Sequence, residues 1–327
     1  MVEPSVLVGP KRIGPFTVVR RLGAGGMAEA YEGVREGPGG FVQRVCVKRV
    51  RPGFVGVIEL EHLFLREARL AAALSHRNIT SVIDFGEDGG ARYLALELVH
   101  GMDLRVLLRA MPGRRLPLPV AVLVAAEIAH ALEHAHSRRG ATGPVVHRDV
   151  SPANVLISED GDVKLTDFGI SKALGDASLT RSGLLRGNVW YMAPELLRPG
   201  TIAEPSGDLF SLGVVLYEAL SGRRPYEART NAAAMIAAAS GEHVHLRLAA
   251  RDLPEPIYAV VERLMAFDPA DRYDAGSLID ALAPLGGECS ARRTLRDLVR
   301  AARRQAEPSA ALGATTLGDA EVGSAER

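Results

Sequence analysis

The hydrophobic period of this chain changes near residue 100, and that change restricts the fold more than any other feature. Before it, short β-rich runs occur at 16–21, 30–35, 42–50, 80–85 and 92–99. In 42–50 apolar and polar positions alternate, as in a strand with one buried face. Residues 37–40 and the run Asp88-Gly89-Gly90 are turn signals between these strands. One segment interrupts them: over 59–74, Leu60, Leu63, Phe64, Glu67, Leu70 and Leu74 recur at helical spacing. After Gly101 the pattern is largely helical, with long apolar helices predicted over 120–136 and 209–220. Only a short strand, turn and strand (145–167) lies between those two. Strands segregated ahead of helices argue for an α+β chain with a β-rich lobe followed by an α-rich lobe. The join falls at 97–101.

Composition narrows the function. The 327 residues carry 39 Lys and Arg against 39 Asp and Glu, so the chain lacks the basic excess of a nucleic-acid binder. A hydrophobic content of 47% excludes general disorder. Two cysteines, Cys46 and Cys289, exclude a disulfide scaffold and a multi-cysteine zinc site, and fit a reducing cytoplasm. No uninterrupted apolar run approaches the roughly 18 residues of a membrane span. The richest stretch, 120–129, is broken by Glu127. The first fourteen residues have no signal-peptide pattern. The chain is therefore expected to be cytoplasmic, without a span or an external sensor.

The chemical signal lies in His147-Arg148-Asp149-Val150-Ser151-Pro152-Ala153-Asn154, followed by Asp167-Phe168-Gly169. Taken singly, Asp, Asn and Gly are turn residues. Taken with Val45-Cys46-Val47-Lys48 behind the glycine cluster Gly23, Gly25, Gly26, they form a linked set. This set resembles the eukaryotic-like (Hanks-type) protein kinase family in its bacterial form, over residues 16–285. His-Arg-Asp-Val-Ser-Pro is similar to sequences of myxobacterial members.

The resemblance implies a bilobal protein-kinase-like fold that binds ATP and Mg2+ between its lobes and acts on protein substrates. Asp149 would orient the substrate hydroxyl. Asp167 and Asn154 would hold the metal, and Lys48 would contact the α- and β-phosphates with Glu67 as its partner. Leu22, Gly23, Ala24, Gly25, Gly26, Ala30, Cys46, Glu97, Val99 and Leu156 would surround the nucleotide, with Leu96 at the back of the pocket. Ala193-Pro194-Glu195 resembles the family's Ala-Pro-Glu, Arg272 its buried partner, and Asp208 the anchor of the catalytic loop.

Several positions depart from the family pattern. The third glycine of the loop is Ala28, and the following valine is Ala30, which thins the roof over adenine. Cys46 is larger than the usual residue there and is expected to fill that space. The lysine two residues after the catalytic aspartate is Ser151. Loss of one charged transition-state contact could lower the rate about a hundredfold or more. Asn188 replaces a threonine but keeps a donor. Neither Ser151 nor Ala153 is arginine and Pro152 is retained, which points to Ser/Thr rather than Tyr as the acceptor.

Residues 170–186 correspond to the activation loop, where Thr180 and Ser182 are the candidate phosphorylation sites and Arg148 a candidate partner. His134 and His136 read as ordinary helix residues. The tail divides in two: 291–304 has six arginines, one acid and an apolar stripe, and 307–327 is rich in small residues. The basic helix either packs on the domain or meets an acidic partner or membrane surface. The expected division is a lead-in at 1–15, an N-lobe at 16–97, a hinge and C-lobe at 98–285 and a tail at 286–327. The expected function is a non-specific Ser/Thr protein kinase, with self-association for autophosphorylation. Ala28, Ser151 and Asn188 keep a pseudokinase scaffold open as the rival. A small-molecule kinase is disfavoured by the Ala-Pro-Glu region.

Overall fold

A computed structural model describes residues 11–25, 28–140, 143–168, 189–198, 200–286 and 288–312. The side chains of residues 59, 60, 63, 67, 139, 140 and 306–312 lie outside that description.

The first lobe is an antiparallel sheet of six strands: β1 (Arg12–Ile13), β2 (Phe16–Ala24), β3 (Ala28–Glu36), β4 (Val42–Val50), β5 (Val82–Asp88) and β6 (Ala91–Glu97). Their order is β1-β2-β3-β4-β6-β5. The period-two pattern explains the two apolar faces. Val45 and Val47 point to one face with Phe16, Val18, Tyr31 and Tyr93. Val50, Leu94 and Leu96 point to the other, where α1 (Ile58–Ala72) covers them with Phe64 and Ala68. Val42, at the hairpin end, is 57% exposed. The strand expected over 80–85 begins only at Val82, because Thr80 donates its backbone N–H to Leu165 in the other lobe.

The chain crosses between lobes and enters a second, three-stranded sheet. Here β7 (Gly101–Asp103) pairs with β10 (Val155–Ser158), which pairs with β11 (Val163–Leu165). Gly101 is required at this join. A Cβ there would lie 1.8 Å from the carbonyl oxygen of Ile157. Two-residue strands β8 (Arg139–Gly140) and β9 (Gly143–Pro144) form a small separate ribbon.

The second lobe is helical. α2 (Leu104–Ala110) starts at Asp103, whose side chain accepts the N–H of Val106 and caps the helix. α3 (Leu118–Ser137) and α4 (Pro205–Ser221) form its centre. Both are apolar nearly all round, as helices buried on every side must be. α3 is long and apolar enough, by length and composition, to cross a membrane; here it is a core helix, with Ile128, Ala129 and Leu132 at 0–1% exposure. α5 (Asn231–Ser240), α6 (Leu246–Ala249), α7 (Glu255–Leu264) and α8 (Ala275–Leu282) complete the outer layer.

The Arg-rich segment forms α9 (Glu288–Leu312), longer than its sequence pattern indicated. It packs on the lobe. Ala291, Leu295, Val299 and Ala302, at 0–4% exposure, form one stripe that joins the main core. Burying Leu295 and Val299 alone stabilises this contact by about 3–6 kcal/mol. Its arginines meet acids of the lobe: Arg292 pairs with Glu127, Arg300 with Asp160 (3.0 Å) and Arg303 with Glu159.

Candidate active site

The cleft between the lobes gathers residues from both sheets. Lys48 projects from β4, opposite Ala30 on β3, and forms an ion pair with Asp167 from the end of β11. Asp167 adopts φ +62, a conformation that costs a non-glycine residue free energy and needs fixing by its surroundings. The fixing groups are hydroxyls. Thr80 donates to Thr166 (3.1 Å), and Thr166 donates to Asp167 Oδ1 (3.3 Å). Burial pushes the Asp167 carboxyl up, but the Lys48 ammonium and the Thr166 hydroxyl outweigh it and hold the group below the usual carboxylate value. Asp167 is therefore an anion at neutral pH.

Asp149 and Asn154 sit on the loop that precedes β10. The Asn154 amide donates to the Asp149 backbone oxygen (2.8 Å) and to Asp149 Oδ2 (2.9 Å). That geometry fixes the carboxylate and turns the Asn154 carbonyl oxygen into the remaining ligand atom of its side chain. The backbone oxygen of Asn154 accepts from Thr166 N (2.9 Å), tying the loop to the strand that delivers Asp167.

The loop is held from beneath by buried groups. Asp208, 1% exposed on α4, accepts from the backbone N–H of His147 (2.8 Å) and of Arg148 (2.8 Å). His136 reaches the same carboxylate at 2.9 Å. Those bonds fix Arg148 at φ +68. His147 is fully buried. Its Nδ1 accepts the N–H of Asp149 (3.2 Å), so the proton is on Nε2, which donates to the Thr166 oxygen (2.9 Å). Burial lowers its pKa and keeps the ring neutral. Phe168 packs on that ring at 4.5 Å.

The anchors expected from the sequence are present. Arg272, with no exposed side-chain surface, makes a bidentate pair with Glu195 at 2.6 and 2.9 Å. Ser151 is buried at 0% exposure, and its hydroxyl finds no hydrogen-bond partner among the described residues. Burial and the neighbouring Arg66 lower the pKa of Arg148.

Among the residues expected around a nucleotide, Leu22, Gly23, Ala24 and Gly25 lie on the β2–β3 hairpin, where Gly23 pairs with Ala30. Cys46 lines the inner N-lobe cluster with Ala28, on the face that carries Ala30 and Lys48, and burial raises its thiol pKa. Leu156 lies in the centre of the three-stranded sheet, between Asp103 and Lys164. Glu97 and Val99 stand at the join, half-buried. The Glu67 side chain, Gly26, Gly169, Asn188, Thr180 and Ser182 lie outside the described residues. The described partner of Lys48 is Asp167.

Four contributors escaped the sequence reading: His136, Thr80, Thr166 and Lys164, which pairs with Glu97 at 2.7 Å. The pairing of a helix histidine with an acid 72 positions away leaves no local sequence signal. His134 instead stacks on His76, with ring centroids 4.9 Å apart.

Among the described residues no group of three His, Cys, Asp or Glu could hold a metal alone. The donors present, an ionised carboxylate and an amide oxygen, suit a hard cation that brings phosphate and water oxygens with it, as Mg2+ does. The residues therefore fit a magnesium nucleotide.

Comparisons with known proteins agree with this geometry. The chain is 39% identical over 275 residues to the tyrosine-protein kinase MasK of Myxococcus xanthus, covering 82% of this chain and 42% of MasK. It is 31% identical over 278 residues to the serine/threonine-protein kinase PrkC of Bacillus subtilis, covering 84% and 41%. It is 37% identical over 311 residues to the serine/threonine-protein kinase PknA of Mycobacterium tuberculosis, covering 93% and 66%. The chain thus spans about two fifths of MasK and PrkC. The crystal structure of the Mycobacterium tuberculosis PknI kinase domain superposes with a TM-score of 0.64 at 28% identity, covering 84% of this chain and 97% of that one. The protein kinase domain pattern matches residues 16–281, from the first long strand through α8. With its fold, its cleft and its sequence in agreement, the chain belongs to the protein kinase domain family.

Proposed function

We propose that this chain is a Ser/Thr protein kinase that transfers the γ-phosphoryl group of Mg·ATP to a protein hydroxyl. The observation that carries the reading is the Asn154–Asp149 contact on a loop anchored by Asp208, beside the Lys48–Asp167 pair. Phosphoryl transfer asks a protein mainly for positioning and charge neutralisation, and these residues are arranged for both.

In this reading Asp167 and the Asn154 side-chain oxygen hold Mg2+. When bound, the ion would neutralise phosphate charge. Lys48 exchanges part of its contact with Asp167 for the α- and β-phosphates. Asp149, kept in place by Asn154, accepts a hydrogen bond from the substrate hydroxyl and aims it in line. Cys46, Ala30 and Leu156 enclose adenine, with Leu22, Gly23, Ala24 and Gly25 above the phosphates and the backbone of Glu97 and Val99 beside the base. Ser151 supplies no cation, so the transition state relies on Lys48 and the metal.

The acceptor is read as Ser or Thr because positions 151 and 153 lack arginine, and because PrkC and PknA carry that name. MasK is named a tyrosine kinase, so the acceptor needs its own assay. Purified chain with Mg·ATP should phosphorylate itself or a basic protein on Ser and Thr by phosphoamino-acid analysis. Asp149→Asn should lower transfer about 10³-fold while ATP still binds. Phosphotyrosine alone would reassign the acceptor. ATP binding without transfer by the unmodified chain would make it a nucleotide-binding scaffold. Thr180 and Ser182 are proposed modification sites, which phosphopeptide mapping tests.

A further inference from the structure

The helix α9 lies beyond the 16–281 match, yet one of its arginines enters a buried network that ends at Asp167. Arg292 pairs with Glu127 on α3, whose side chain is 4% exposed. The second oxygen of Glu127 accepts the amide of Asn78, itself 3% exposed. That amide also donates to the Val163 oxygen at 2.9 Å. The Asn78 backbone carbonyl accepts the N–H of Leu165 at 2.7 Å, and Thr80 N donates to the Leu165 backbone oxygen at 3.0 Å. The Thr80 hydroxyl then donates to the Thr166 hydroxyl, which donates to the Asp167 carboxylate. A second arm of Arg292 donates to the Gly161 carbonyl at 3.1 Å, in the turn between β10 and β11. Gly161 has φ +87, and a Cβ there would lie 2.8 Å from the Arg292 carbonyl oxygen. The helix therefore touches the turn before β11 directly and reaches Val163 and Leu165 through Glu127 and Asn78.

We propose that Arg292 is a positioning residue for Asp167, acting through Glu127 and Asn78 on the strand that delivers the metal-binding carboxylate. A buried carboxylate needs a nearby cation and full hydrogen bonding. Arg77 also reaches Glu127, at 3.3 Å, but its side chain is 64% exposed and water screens it. Arg292, 27% exposed, is the better-placed counter-ion. Without it, Glu127 relaxes toward solvent and releases Asn78, and the 76–80 connection loosens its hold on β11. Groups bonded directly to a metal ligand, as Thr166 is to Asp167, typically change metal affinity about 10- to 100-fold when altered, and Arg292, several contacts further out, is expected at the lower end of that range. The inference rests on the reading of Asp167 as a magnesium ligand.

The test compares the full chain with Arg292→Ala, Arg292→Lys and the exposed control Arg293→Ala. Two readouts are taken: hydrogen exchange of the peptides covering 76–80 and 163–168, and the Mg2+ concentration needed for half-maximal binding of a fluorescent ATP analogue. In Arg292→Ala both peptides should exchange faster, and the Mg2+ requirement should rise about tenfold. Arg292→Lys should recover most of the difference, and Arg293→Ala should match the parent. Faster exchange confined to 288–312, with an unchanged Mg2+ requirement, would overturn the inference. If Arg292→Ala does not fold, Glu127→Gln is measured instead; unchanged readouts there overturn it equally. Neither readout requires turnover, so a parent chain that binds Mg·ATP without transferring phosphate would sink the proposed activity and leave this test standing.

Discussion

The floor and the roof of the cleft are built by different means. The floor is fixed by side chains that bond to backbone: Asp208 to His147 and Arg148, His147 to Thr166, Asn154 to Asp149. The roof is fixed by strand pairing and apolar packing, and its critical positions carry small side chains, Ala28, Ala30 and Cys46. Hydrogen bonds are directional and costly to leave unmade when buried, so the floor has one geometry before any ligand arrives. Apolar packing is tolerant of volume-matched change, so the roof can vary in residue size without losing its strands. The departures from the family pattern fall accordingly. Three lie in the roof, whereas Ser151 is the one substitution in the described floor loop, and it is buried.

This contrast can be broken by experiment. The largest effect is expected at Asp167→Asn, which removes the anion from the floor. Transfer should fall about 10³-fold or more, measured as the initial rate at saturating ATP. Next comes Asp208→Ala, which orphans two buried backbone N–H groups. It should lower stability by about 2–6 kcal/mol in denaturant unfolding. A loss below 1 kcal/mol would show that the floor is not held by these bonds.

A smaller effect follows from His147. Its pKa lies below the ordinary 6.5 in the folded chain, so the unfolded chain binds the proton more readily. Stability is full above that value and declines as pH falls from 6.5 toward the folded pKa. His76, His134 and His243, also lowered by burial, add to the same slope. Unfolding midpoints between pH 7.5 and 5.5 should drop, and His147→Gln should flatten part of the drop. The smallest effect belongs to the roof. Ala30→Val should change stability by less than about 1 kcal/mol and shift ATP affinity only a few-fold, read by titration. A loss comparable to that of Asp208→Ala would erase the distinction.

Much of the fold was legible because it depends on local period. β4 spans the residues its alternation indicated, and α3 extends the apolar run by two residues at the front and one behind. The principal site residues were legible because they lie close in sequence or in a recognisable order. What escaped was set by tertiary contact. His136 looks like any helix histidine until α4 brings Asp208 beside it. Thr80 and Thr166 are 86 residues apart, and neither carries a motif. The arginines of α9 left packing on the domain and an outside acidic partner both open, because the acids they meet, Glu127, Glu159 and Asp160, lie more than 130 positions upstream.

Gly101 has a mechanical consequence. Residues 101–103 are laddered to 156–158, and the backbones approach so closely at Gly101 that no side chain fits between them. The strand β7 therefore belongs to the C-lobe as firmly as a door frame belongs to its wall. Glu97 is still laddered to Val45 in the N-lobe. Rotation of one lobe against the other that keeps both ladders intact must be taken up by Leu98, Val99 and His100. The axle is three residues long, and the proposed adenine site adjoins it, so a base bound there would sense lobe closure at its point of least travel.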